Sequence, residues 1–432
     1  MVAQALFISN LKILINMKKK IYSCMDDYDP NSILIEDALA KIKKLTKKIS
    51  TYEYVNLIDS HDRTVFENIK SKLKVPNYDN SAMDGYALNI QSLANNKNLK
   101  IIGISLAGSP FKGKIKKNEC VKIMTGAVLP KDCNIVIMKE EISKLNNDNI
   151  IINSKNVKIY QNIRFAGEDI KPNKVLIKKF HIINSSSMGL LASQGISKVK
   201  VFKKIKVSFF TSGDEVVPVD KKLPYGKVHD SNRFTLTGML AKHNIDVIDL
   251  GHAKDNIRDI KDKFKIAVEK SDIVISTGGV SVGDADYIKD VVKSLGNINF
   301  WKVAVKPGRP LAFGKIKDTI FFGLPGNPVS VMITFLLFVL PTIYLLAGKS
   351  YELVKDEAIL LSNLKKRQGR AELQRGIYTM KNNKYFVKTV GEQGSGILSS
   401  MNNANCLIYL PVEKGKSNKN DVVKIIKFKN YI

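Results

Sequence analysis

The sequence predicts a multidomain protein of α/β plus β class, and three observations carry that prediction. From Lys206 onward, short apolar strands alternate with helical stretches, the rhythm of a doubly wound α/β domain with helices on both faces of a parallel sheet. Between Ala87 and Ile163 the pattern is one of short β-like runs separated by Gly, Asn and Pro. From Glu357 the chain turns β-rich again, as a small separate barrel would. At 432 residues the chain is long for one domain and fits two to four folding units.

In chain order, residues 1–24 are mildly apolar and then basic at Lys18-Lys19-Lys20. That is the reverse of a secretory signal, so they are read as a disordered extension, with Met17 or Met25 as other possible starts. Residues 31–49 carry Ile33, Ala38, Leu39, Ile42 and Leu45 at helical spacing, and a second helix is expected over 62–73. Strands are expected at 100–104, 120–124, 135–139 and 149–152, and a helix at 185–194. The α/β region then gives strands at 207–210, 247–250, 273–276, 300–303 and 320–322, with helices over 231–243, 256–269 and 286–295. The uncharged run 329–347 is long enough to span a bilayer. It follows a strand and a glycine turn, however, and begins with Asn327 as N-cap and Pro328 in the first turn, so a buried core helix interrupted at Pro341 is the preferred reading.

The charge is lopsided: 69 Lys+Arg against 40 Asp+Glu leave +29. Such a field attracts oxyanions and phosphates. The lysines are spread along the whole chain, with no basic stripe interleaved with aromatics and no helix-turn-helix signature, so nucleic acid is not the expected partner. The four cysteines, Cys24, Cys120, Cys133 and Cys406, lie far apart with no zinc spacing, which fits reduced thiols in a cytoplasmic protein.

Three strand ends of the α/β region combine glycine with polar groups. They are Thr211-Ser212-Gly213-Asp214-Glu215, the run Thr277-Gly278-Gly279-Val280-Ser281-Val282-Gly283-Asp284-Ala285-Asp286, and Gly323-Leu324-Pro325-Gly326-Asn327-Pro328. Glycines let backbone N–H groups approach an anion, and a helix N-terminus follows or lies near each loop, so an anion or nucleotide crevice is expected at the carboxyl edge of the sheet. Glu215, Asp284 and Asp286 would repel phosphate unless a divalent cation bridges them. Mg²⁺ is therefore expected, with Asp286 and Glu215 as its ligands and Asp284 as a helix cap. Lys302 and Lys306 flank Val303-Ala304-Val305; four residues apart on an extended chain, they face the same side and suit a dianion or a leaving phosphate. Upstream, the loops around Asp84, Thr125-Gly126 and Asp169 carry groups that bond backbone or ligand.

These motifs carry a resemblance. Asp79-Asn80-Ser81-Ala82-Met83-Asp84-Gly85-Tyr86-Ala87 resembles the signature of the molybdopterin molybdenumtransferases, the family that includes the carboxy-terminal domain of gephyrin. Five more segments match in order: Ile123-Met124-Thr125-Gly126-Ala127, Arg164 with Gly167-Glu168-Asp169, Ser212-Gly213-Asp214-Glu215, the Gly278–Gly283 loop with Asp286-Tyr287, and Lys306-Pro307-Gly308 with Leu324-Pro325-Gly326-Asn327-Pro328. Departures are Asp132 for a usual glycine, His229 for tyrosine and Leu373 for phenylalanine.

The resemblance implies a homodimer of four-domain subunits. A helical dimer-forming domain (25–76 and 164–204) would hold an inserted β-rich domain (77–163), followed by the α/β domain (205–350) and a carboxy-terminal β-barrel (351–432). It implies transfer of molybdate into adenylyl-molybdopterin with release of AMP. Asp84, Thr125, Asp169, Glu215, Asp255, Lys302 and Lys306 are then expected as catalytic residues, the first three supplied by the other subunit. Ser212, Gly213, Gly278, Gly279, Ser281, Gly283, Pro325, Gly326, Asn327, Arg370 and Ser395 are expected to bind the pterin nucleotide. The molybdopterin adenylyltransferase and apo-molybdoenzymes are implied partners, and no membrane is. A non-catalytic dimeric scaffold on the same fold is the alternative; against it, Asp286, Lys302 and Lys306 are all present. The adenylyltransferase itself would lack the Asp84 loop and the β-rich tail.

Overall fold

The computed structural model describes residues 28–432 except 95–97, 145, 147, 155, 279–286 and 350. The extension 1–24, Cys24 and the loop carrying Gly279, Ser281, Gly283, Asp284 and Asp286 therefore lie outside the described residues. The chain divides into two compact units, one built from the residues up to Thr51 together with Phe202–Ile432, the other from Tyr52–Val201.

The first unit opens with β1 (Ser32–Ile33) and α1 (Ile35–Leu45), whose Ile35, Ala38 and Ile42 are buried. It continues through β2 (Lys206–Ser212), α2 (Ser231–Ala241), β3 (Asp246–Ala253), α3 (Ile257–Lys270), β4 (Ile273–Thr277), α4 (Tyr287–Leu295), β5 (Asn297–Val303), β6 (Val305–Lys306), β7 (Pro310–Ile316) and β8 (Thr319–Leu324). The sheet order is β1-β5-β7-β8-β4-β2-β3. β7 runs antiparallel to both neighbours; the remaining pairs are parallel. The sheet is therefore mixed, and β7 is a strand the sequence reading passed over. Its Leu311, Ala312 and Phe313 are buried, as an inner strand demands.

One face packs Phe209, Ile275, Phe322 and Leu324 against α1, α2 and the long helix α5 (Pro328–Leu346). The other packs Phe210, Val274 and Phe321 against α3 and α4, with Phe264 edge-on to both Phe210 and Phe321. Helix α5 is the run that could have crossed a membrane. It has a mean hydropathy of 2.4, yet 83% of its most apolar window is buried inside the protein, which makes it a core helix. Pro341 does not interrupt it. The turn Phe335–Val339 just before it is a π-turn, and this wider turn accommodates a residue that has no N–H and whose ring crowds the carbonyl one turn back.

After α5, β9 (Asp356–Leu360), β10 (Ala371–Lys381), β11 (Lys384–Thr389), β12 (Cys406–Leu410) and β13 (Val422–Lys427) pair as β10-β11-β9-β13-β12 and back to β10, a closed five-stranded barrel. The barrel and the α/β sheet share a core: Ala371, Leu373, Leu407 and Ile426 pack in the same cluster as Phe322 and Leu336. β6 leaves the α/β sheet and pairs in parallel with β10, Val305 opposite Ala371 and Lys306 opposite Glu372. Lys302 and Lys306 thus stand on two strands, not on the single extended strand expected.

The second unit holds a six-stranded sheet in the order Ile135–Met138, Gly85–Leu88, Glu119–Ile123, Asn98–Ser105, Asn149–Ile152, Ile142–Lys144. A second apolar cluster gathers Val65, Ile177, Ile183, Leu191, Val199 and Val201, residues far apart in sequence. The helix Ser185–Ser193 is capped by Asn184, whose Oδ1 accepts the Ser187 N–H at 2.9 Å. The helix expected over 62–73 is absent. Thr64 bridges Ile182, Val65 bridges Val201, and Ile69–Lys70 pairs with Val175–Ile177. The segment is extended because its partners come from a hundred residues downstream, and β-branched Thr64 and Val65 suit that pairing.

Candidate functional site

Three of the parallel strands end side by side, and the residues at their ends meet. The Ser212 hydroxyl donates to the Thr277 carbonyl at 3.3 Å, and the Gly278 N–H donates to the Leu324 carbonyl at 3.3 Å. Gly278 is required by this approach. It has φ +87°, and a Cβ there would stand 2.7 Å from the Ser212 carbonyl oxygen. A Cβ on Gly326 would in turn lie 3.9 Å from the Gly278 Cα. The carboxyl ends of β2, β4 and β8 thus form one glycine-lined edge, placing Ser212, Gly213, Gly278, Pro325, Gly326 and Asn327 together.

The carboxylates gather on one side of this edge. The Glu215 carboxylate folds back over Gly213, whose φ of +134° only glycine adopts freely. The Asp214 N–H donates to Asp255 Oδ2 at 3.0 Å, and the Asp255 N–H to Asp214 Oδ1 at 3.3 Å. Burial pushes the Asp255 carboxyl above its ordinary value. The charges of Asp214 and Glu215 add to that rise, against the Asp214 N–H and His252, which pull it down. Among the described residues no three His, Cys, Asp or Glu side chains converge as a metal site; Asp286, the expected metal ligand, is outside them.

Helix α5 begins at this edge in an unusual way. Asn327 is its N-cap residue, but the side chain makes no cap bond. Its Nδ2 donates instead to Ser395 Oγ at 3.0 Å, and the Val329 N–H donates to the Ser395 carbonyl at 3.2 Å. The expected residue Ser395 is therefore brought in from the barrel. Arg370 immediately precedes β10, two residues from Glu372. Lys306 pairs with Glu372 at 3.2 Å, and Lys302 lies 3.8 Å from Asp29, which also binds Arg309. The two lysines are thus ion-paired within the protein, each with a different carboxylate.

In the second unit, Asp84 and Thr125 are joined: Asp84 Oδ1 accepts the Thr125 N–H at 2.8 Å and its hydroxyl at 2.7 Å. Those bonds hold the Asp84 carboxyl below the ordinary carboxylate value. The exposed Asp169 belongs to the 165–170 turn, where its N–H donates to the Val75 carbonyl at 3.1 Å.

Three sequence families match successive parts of the chain. Residues 33–195 match "MoeA N-terminal region (domain I and II)", 208–344 match "Probable molybdopterin binding domain", and 357–428 match "MoeA C-terminal region (domain IV)". A molybdopterin molybdenumtransferase of Haemophilus influenzae is 40% identical over 403 residues, covering 93% of this chain and 100% of that protein. The chain belongs to the molybdopterin molybdenumtransferase family. It is accordingly an enzyme, a transferase of molybdenum-cofactor biosynthesis. A family member from a Nostoc species is 31% identical over 399 residues, covering 88% of this chain and 90% of its own. The crystal structure of the molybdopterin biosynthesis moeA protein from Pyrococcus horikosii superimposes with a TM-score of 0.79 at 29% identity, covering 92% of this chain and 99% of that one.

Several neighbours of the family's motifs escaped the sequence reading. Asn232 donates from Nδ2 to the Gly326 carbonyl at 2.7 Å, and its buried Oδ1 has no partner among the described residues. Asp230 accepts the Thr211 hydroxyl at 2.5 Å and caps α2. Their only sequence signal is the cluster Asp230-Ser231-Asn232 ahead of a helical run. Glu372 carries the weaker signal of a charge inside an apolar strand. Cys120, Cys133 and Cys406 are buried, and burial pushes each thiol up to about 12, which leaves them inert.

Proposed function

We propose that the chain is a molybdenum insertase, transferring molybdate into adenylyl-molybdopterin with release of AMP. The observation that carries this reading is the meeting of three strand ends, at Ser212-Gly213, Gly278 and Gly326, on the carboxyl edge of the α/β sheet, in a member of this family. Backbone N–H groups there suit a phosphate, and the unpartnered Asn232 Oδ1 suits a donor group of the same ligand. Ser212, Gly213, Gly278, Gly279, Ser281, Gly283, Pro325, Gly326, Asn327, Arg370 and Ser395 are read as holding the adenylylated pterin. Lys302 and Lys306 would neutralise molybdate and the phosphate charge that grows as AMP leaves.

Neighbouring carboxylates at this edge would suit a divalent cation. Asp214, Glu215 and Asp255 lie together at this edge, where burial first and the charges of Asp214 and Glu215 second raise the Asp255 carboxyl. Glu215 and Asp286 would hold Mg²⁺, which supplies positive charge where carboxylates meet phosphate. Asp84, Thr125 and Asp169 are read as catalytic residues supplied by a second copy in a homodimer. Transfer to apo-molybdoenzymes, and receipt of substrate from the adenylyltransferase, complete the proposed setting in the cytoplasm.

The experiment is AMP release from adenylyl-molybdopterin by the full chain with Mg²⁺ and molybdate, beside an Asp286→Ala variant. Molybdate-dependent release is expected, reduced by about a hundredfold or more in the variant. Tight substrate binding with no release from the intact protein would sink the reading and leave a scaffold or carrier.

A further inference from the structure

We propose that Glu372 and Arg375, two buried charges on barrel strand β10, are positioning residues through which the barrel sets Lys306 and Ser395 at the crevice. The inference rests on the reading of Lys306 and Ser395 as site residues.

Glu372 is 6% exposed and stands opposite Lys306 in the β6–β10 pairing. Its carboxylate lies 3.2 Å from the Lys306 Nζ, while the lysine side chain is 44% exposed. Burying a carboxylate is costly, and a well-packed apolar residue would serve the core at least as well. What the carboxylate adds is a fixed direction for a long, otherwise mobile cation.

Arg375 is 1% exposed and is among the largest fully buried side chains. Its donors go to neutral acceptors: Nε to Ser400 Oγ at 2.9 Å, and Nη2 to the carbonyls of Glu392 at 3.1 Å and Gly394 at 2.9 Å. Gln393 closes the bracket. Its Oε1 accepts the Arg375 N–H at 2.7 Å, and its Nε2 donates to the Arg375 carbonyl at 3.2 Å. Glu392 and Gly394 are themselves exposed while Ser400 is buried, so the guanidinium ties a surface loop to the core. The next residue is Ser395, whose hydroxyl takes Asn327 and whose carbonyl takes the Val329 N–H. Arg375 therefore fixes the loop that reaches the start of α5. Nε and Nη2 of one planar group hold Ser400 and the two loop carbonyls at once, a spread that a single ammonium nitrogen cannot reproduce.

The test joins activity to hydrogen exchange in the full chain. Arg375→Lys and Glu372→Gln are each expected to lower kcat for AMP release on the order of 10- to 100-fold. The Arg375→Lys loss should shrink toward nothing in a Ser395→Ala background, and the Glu372→Gln loss in a Lys306→Ala background, because each acts through that partner. Glu372→Asp should recover part of the activity. Amides 392–396 should exchange faster in Arg375→Lys while the paired amides of β10 and β12 keep their protection. Additive losses in both cycles, or faster exchange spread over the whole barrel, would overturn the proposal in favour of plain structural anchors. If the intact protein releases no AMP, the insertase reading fails by itself, and the loop-exchange result still decides the positioning claim for Arg375.

Discussion

Asp255 shows what a single residue at this edge costs the fold. Its carboxyl is raised by burial first and by Asp214 and Glu215 second. A carboxyl with a higher pKa folded than unfolded binds its proton more tightly in the folded state. The folded state is then penalised above that raised pKa, and the penalty fades as the pH falls below the unfolded value. Asp255→Asn keeps an acceptor for the Asp214 N–H and removes the charge. Thermal unfolding without divalent cation should therefore show a higher Tm for the variant at pH 7, with the gain vanishing near pH 3. An equal gain at both pH values would show that charge is not its source. At this scale the sequence was readable wherever residue type limits conformation: Gly213 and Gly278 both take positive φ, as loop glycines do. The partners of Lys302 and Lys306 were not readable, because Asp29 and Glu372 reach them across hundreds or tens of residues.

Helix α5 carries the largest element-scale consequence. Ser330, Thr334 and Thr342 are buried within it, and the two threonine hydroxyls donate back to the carbonyls of Ser330 and Phe338 at 2.7 Å. That local bonding lets polar side chains lie in an apolar core. Phe338 is fully buried in the π-turn, in the core shared by sheet and barrel. Phe338→Ala should cost about 3–5 kcal/mol, read as a lowered denaturant midpoint with an unchanged slope. A loss below about 1 kcal/mol would mean the site collapses around the gap. Length and lack of charge in this run were plain from sequence, but bilayer and core helices share that pattern; packing on Phe322 and Leu324 decides between them. The misread segment 62–73 errs in the other direction. Its composition permits a helix, and bridges to Ile182 and Val201 with the pairing of Ile69–Lys70 on Val175–Ile177 make it extended.

At the scale of the whole molecule, a net charge of +29 should draw dianions to the protein. The rate constant kcat/KM for molybdate is expected to fall several-fold as salt rises from about 0.05 to about 0.5 M, with kcat little changed, since screening acts on encounter. A salt-independent kcat/KM would show that the charge plays no part in capture.

The sequence alone determined the α/β alternation, the long uncharged helix, the β-rich tail and the glycine-rich runs. Each of these is local: strand and helix periods, N-caps and positive-φ glycines are set by residues within a few positions of one another. Tertiary structure alone decided that β7 turns the sheet mixed, that β10 to β13 close with β9 into a barrel, and that β6 docks on β10. It also decided that Ser395 and Glu372 stand at the Asn327 and Lys306 positions. Those pairings join residues 66 to 68 positions apart (372 − 306 and 395 − 327). No local preference encodes such partners, because they are chosen by the burial and hydrogen bonding of the folded chain as a whole.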